Sequence, residues 1–227
     1  MRDKALDVQH PPRRSAPFWR RLPLMWRLRR HRPASAAPLA PAPARAEFEQ
    51  RLHALLDDCR YGEAIAALNE TLRETPLDPD FNDQLHALYQ EVGDTVSVLA
   101  QGQQWLAARA LAGRGKEALA AWRTLQKIDP GFIVQEGRAV LPLAQAAVKH
   151  GDQALAVQLL QGFDKRFPEH EDLPGVFFLG AQLMHDYGRR HDQAVTLLRR
   201  LLKRYPGHAV ARDVRTYLGL LERMQVR

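Results

Sequence analysis

Four prolines, Pro76, Pro130, Pro168 and Pro206, close four segments that share one apolar register, and this register constrains the fold more than any other feature of the chain. Twelve residues before them stand Ala64, Ala118, Ala156 and Ala194, and eleven before stand Ile65, Leu119, Val157 and Val195. Eight before come Leu68, Trp122, Leu160 and Leu198; five before come Thr71, Leu125, Phe163 and Leu201. Thr71 is the one polar residue in the set. The last two corners also repeat almost letter for letter, as KRFPEH at 165–170 and KRYPGH at 203–208. Such agreement marks an internal repeat.

The spacings are helical. A small residue lets two antiparallel helices approach, and the large residues four and seven positions later fill the groove beside it. Proline then stops the helix, because it forces the preceding residue out of the α region. Lys and Arg in the last turn favour the negative end of the helix dipole. From Ala46 onward the apolar residues recur at three and four spacings, with breaks at Gly or Pro. Residues 33–45, PASAAPLAPAPAR, read as an extended Pro/Ala linker. The last three prolines are 38 residues apart and the first two 54, so the surplus predicts an extra helix near Phe81–Val92. A capping helix is expected from Ala209 to Met224.

GRGKEALAAWRTLQKIDP at 113–130 carries the small and bulky residues and the closing proline in the order that makes this chain resemble the tetratricopeptide-repeat family. The resemblance implies an all-α, right-handed solenoid of antiparallel helix pairs over residues 46–227. It departs from the family in the first helix of each pair, where Arg109 and His185 stand in place of an aromatic. It also implies a groove lined by the first helices: Glu49, His53 and Leu56, then Gln103 and Ala107, then Arg138, Leu141, Gln145 and Lys149, and finally Leu179 and Leu183. A protein or peptide would lie there.

Motifs for chemistry are wanting. GRGKE at 113–117 lacks the earlier Gly and the following Ser or Thr of a phosphate loop, with Ala110 and Glu117 in those places. His185 and His191 are six apart with Gly188 between them, which is not the spacing of metal ligands on one helix. Cys59, the one cysteine, has Asp57 and Asp58 beside it, which disfavour a thiolate, and reads as a half-buried structural residue. No catalytic residue, metal, cofactor or small-molecule substrate is therefore expected.

Charge is uneven. Residues 1–45 hold 11 Lys/Arg against 2 Asp/Glu, while residues 46–227 hold 22 against 24. The whole positive excess lies in a first domain, a flexible, disordered basic tail over 1–45. Within it Phe18, Trp19, Leu22, Met25 and Trp26 gather on one side of a short amphipathic helix projected over 18–30. Arg with Trp suits an anionic membrane interface; it also suits RNA, by phosphate contact and base stacking. A solvated tail is the third reading. The expectation from sequence is a non-catalytic interaction scaffold, cytoplasmic and peripheral at a membrane. An RNA-associated repeat protein and an accessory subunit of an enzyme complex are the alternatives.

Overall fold

The structure, a computed structural model, describes residues 42–225 and the side chains of 44–224. Of the tail expected over 1–45, residues 1–41 lie outside the described residues, and with them the helix projected over 18–30 and Phe18, Trp19, Leu22, Met25 and Trp26. Those described form helices and no strand: α1 (Ala42–Asp57), α2 (Tyr61–Glu74), α3 (Pro79–Glu91), α4 (Thr95–Leu111), α5 (Gly115–Ile128), α6 (Gly137–Lys149), α7 (Gln153–Leu160), α8 (Phe163–Arg166), α9 (Leu173–Asp186), α10 (His191–Arg204) and α11 (Ala211–Gln225). Each packs chiefly on its neighbours in sequence, with α4 on α6, α7 on α9 and α6 on α9 as the longer steps. This is an all-α helical-repeat solenoid. α3 is the extra helix of the wide proline interval and α11 the capping helix.

The shared register sits where close packing demands. Ala64, Ala118, Ala156 and Ala194 are all completely buried. The residue before each closing proline is Thr75, Asp129, Phe167 or Tyr205, with φ between −125° and −135°. Each donates its N–H to the carbonyl four residues back, on Thr71, Leu125, Phe163 or Leu201. The corners also match beyond the proline. The N–H two residues after it, on Asp78, Phe132, His170 or His208, bonds the carbonyl of the residue before it, at 2.9–3.3 Å.

That position explains the repeated histidine. His170 Nδ1 accepts from the Asp172 N–H at 3.1 Å, and His208 Nδ1 accepts from the Val210 N–H at 3.3 Å. Asp78 does the same work with a carboxylate, accepting from the N–H groups of Asp80 and Phe81. All three satisfy backbone donors at the entry to the next helix, which have no partner within it.

Three expectations change. α1 begins at Ala42, not Ala46, and runs through Pro43; proline is tolerated there because first-turn N–H groups lack helical partners anyway. The second helix of the third pair is broken into α7 and α8 at Gly162, which has φ +67°. Leu155 and Leu159 take the core positions of α7, and Val157 is left 44% exposed. Cys59 is exposed, not half-buried. It adopts φ +57° in the turn between α1 and α2, the left-handed site that Gly113 and Gly151 fill after α4 and α6.

Candidate functional site

The projected groove residues divide by burial. His53, Arg138, Gln145 and Lys149 are exposed, and Glu49 is half-exposed with its carboxylate 2.9 Å from Arg45. Gln103 is held by the segment after α5: its Nε2 donates to the Ile133 carbonyl at 2.7 Å and its Oε1 accepts from the Gln135 N–H at 2.9 Å. Leu183 is a correction. It is 5% exposed and belongs to the core, as do Ala107, Leu141 and Leu179. Leu179 and Leu183 face the preceding helices, in one apolar cluster with residues of α4 to α7. On α6, by contrast, Arg138, Gln145 and Lys149 form an outward stripe on a helix that otherwise buries most of its length.

The inserted helix α3 builds a feature that the sequence did not foretell. α2 and α4 pack on either side of it and leave a cleft of about 560 Å³, lined by Leu72, Leu85 and Ala100 and by Asn69, Gln101 and Gln104. The amides hold the helices together. Asn69 donates to the Ile65 carbonyl and the Tyr89 hydroxyl, Gln104 to the Pro76 carbonyl, and Gln101 to Asn82 Oδ1 at 3.0 Å.

Behind the cleft runs a buried polar seam between α3 and α4. Asn82 is completely buried and His86 2% exposed. The His86 ring stacks on Trp105 at 3.6 Å between centroids, and its Nδ1 meets Gln101 Oε1 at 3.0 Å. Burial lowers its pKa, and the Gln101 hydrogen bond opposes that shift. Trp105 Nε1 and Arg109 Nε both donate to Asp83 Oδ1 at 2.7 Å, with the Arg109 guanidinium 4.3 Å from the Trp105 ring. Arg109, the departure in the repeat pattern, is thus one side of an ion pair across the insertion. Its partner Asp83 lies on the helix foretold by the wide proline interval, but the pairing depends on how α3 and α4 pack.

A second cluster lies among α9, α10 and α11. His185 Nδ1 and His191 Nδ1 are 3.1 Å apart, so one carries the proton that bridges them. Arg189, at φ +50°, turns the chain so that the two rings meet despite Gly188. Burial pushes the Asp186 carboxyl up to about 6. Burial, and then the Asp186 charge, push the Tyr217 phenol up. Tyr217 Oη and His191 Nε2 are buried without a hydrogen bond of normal geometry. Among the described residues no group of three or more His, Cys, Asp or Glu is placed to hold a metal ion.

A family model described as tetratricopeptide repeat matches residues 176–208, from Val176 in α9 through α10 to the KRYPGH corner. No curated protein matches the chain. The other three segments share the buried alanine, the φ near −130° of the residue before proline and the corner hydrogen bonds of the matched one. Residues 176–208 are thus similar to a tetratricopeptide repeat, and the helical repeats before them are built on the same plan.

Proposed function

We propose that this chain is a non-catalytic scaffold whose solenoid holds a protein or peptide and whose basic N-terminal tail keeps it at an anionic membrane surface. Tetratricopeptide repeats in general bind protein or peptide partners and are typically non-catalytic. The observation that carries the first half is the α6 stripe: Arg138, Gln145 and Lys149 stand outward in the middle of the solenoid on an otherwise buried helix. Two of the three are cationic, so the stripe suits an acidic segment. A photo-crosslinking residue at Gln145 should trap one discrete protein, and Arg138→Glu with Lys149→Glu should abolish that product while leaving helicity intact. A product unchanged by the double reversal would move the binding face elsewhere.

The second half rests on sequence. No described helix is long and apolar enough to cross a membrane, and residues 1–41 combine 10 Lys/Arg with Trp19 and Trp26. Basic residues contribute about 1 kcal/mol each near an anionic surface, an attraction that salt screens. Buried tryptophans add a part that salt leaves in place. The full chain should sediment with anionic vesicles, and deletion of 1–40 should stop it. Trp19→Ala with Trp26→Ala should weaken binding with no change of charge. RNA binding without vesicle association would replace this reading by the nucleic-acid one.

A further inference from the structure

The described part of the chain is electrically divided. Residues 42–94 carry a net charge of −8 and residues 95–225 a net of +6. Ion pairs with carboxylates run through both parts, on Arg45, Arg60 and Arg73 in the first and on Arg109, Arg114, Arg123, Arg138 and Arg199 in the second. On α11, Arg212, Arg215 and Arg223 have no ion pair among the described residues, and all three are exposed.

The two terminal helices concentrate this asymmetry. The main neighbour of α1 is α2, and that of α11 is α10, so each has an outward face. On α1 the outward stripe is Glu47, Gln50, Ala54, Asp57 and the adjoining Asp58, all exposed. Arg51, the exposed cation of that helix, lies toward α2, where it lowers the Glu63 pKa after Arg60 has done so more strongly. On α11 the stripe is Arg212, Thr216, Leu220, Arg223 and Met224, with Met224 40% exposed. Anions mark both ends of the first stripe and cations both ends of the second. Each pair of ends is separated by 11 residues, roughly 16 Å along a helix.

Local helix chemistry does not account for these charges. Asp57 ends α1, where the dipole disfavours an anion, and Arg212 is the second residue of α11, where it disfavours a cation. Both costs are removed if the two ends meet.

We infer that α11 of one copy docks antiparallel on α1 of a second copy, Arg212 against Asp57 and Asp58, Arg223 against Glu47, with Leu220 over Ala54. The contact is heterologous, so it propagates head to tail and does not close as a two-fold dimer. One helix on another buries less than the ~1,000 Å² of a stable interface, so the association is weak and salt-sensitive.

The test is sedimentation of the full chain, since residues 1–41 add a net +8 and self-association has to hold in their presence. At low salt the average mass should rise with concentration. At about 1 M salt, where the Debye length is roughly 3 Å, association should weaken on the order of tenfold or more. Glu47→Lys with Asp57→Lys should abolish it, and so should Arg212→Glu with Arg223→Glu. The fourfold variant, with both stripes reversed, should regain it, because the charges are again opposite; rescue also separates lost docking from lost folding. A chain that stays monomeric at low salt overturns the inference, as does association that survives either reversal, or a fourfold variant that stays monomeric although folded.

Discussion

The histidine two residues after a closing proline shows what a repeated residue means and does not mean. In KRFPEH and KRYPGH it invites a metal or catalytic reading, yet in both corners its Nδ1 accepts one backbone N–H at a helix entry. Every other residue of the corner was legible from helix-end chemistry, but this one needed the folded structure, because imidazole is not among the usual capping side chains. His185 and His191 err in the opposite direction: helical spacing sets them apart, and a left-handed Arg189 brings them together. Their neighbour Asp186 carries a prediction. Its carboxyl is raised to about 6, against roughly 3.9 in an unfolded chain. A raised value means that its contribution to stability is full below the unfolded pKa and is lost as pH rises through the folded one. His185 runs the other way. Burial first, and then His191, lower its pKa, so its contribution is full above roughly 6.5 and is lost as pH falls through the lowered value. Asp186→Asn removes only the first effect. The variant should melt higher than the parent at about pH 8, by on the order of 1 kcal/mol after allowing for the solvent that reaches this side chain, and the gain should vanish near pH 4. Melting curves across that range decide it; a gain that persists at pH 4 or is absent at pH 8 contradicts the assigned environment.

At the scale of elements, the second helix of each pair was legible and its partner much less so. Buried alanine, large residues on one face and a stopping proline follow from local geometry, which the sequence displays directly. The first helices are set by what packs across them from other pairs, and Leu183, projected into the groove, lies in the core. The start of α1 in a proline-rich stretch and the break at Gly162 were illegible for the same reason: tertiary packing overrides local preference. Glycines test this distinction. A methyl group on Gly180, in α9, would meet nothing within 4 Å, whereas one on Gly115 would come within 2.8 Å of Ala146 Cβ on α6. Gly180→Ala should therefore gain roughly 0.5–1 kcal/mol, as alanine does in a helix. Gly115→Ala should lose about 1–3 kcal/mol, because Ala146 has no flexible end to move aside and the helices must part. Thermal melts of the two single variants check both signs. Equal shifts would mean that α5 and α6 do not approach as closely as described.

At the scale of the molecule, the core of the described residues is three clusters: Leu52–Leu88 residues at the start, Trp105–Leu183 residues in the middle, and Ala181–Leu221 residues at the end. The last two interleave along α9, where Ala181 belongs to one and Leu183 to the other. The first two meet across α3 and α4, and there the contact is the polar seam of Asn82, Asp83, His86, Gln101, Trp105 and Arg109. A solenoid's stability is close to a sum of unit terms and neighbour terms, so a seam of hydrogen bonds is the place where one part can come away from the rest. Asp83 holds two donors of α4 on one oxygen. Asp83→Ala would leave the Trp105 N–H and the Arg109 guanidinium without that acceptor, at a cost of about 1–3 kcal/mol. The cost should fall on the junction. Amide exchange should quicken through α1, α2 and α3 while α6, α9 and α10 keep the protection of the parent chain, and the variant's melting should be broader than the parent's or split. Exchange that quickens evenly from α1 to α11 would mean that the helices unfold as one unit, and that the insertion, for all its polarity, does not divide them.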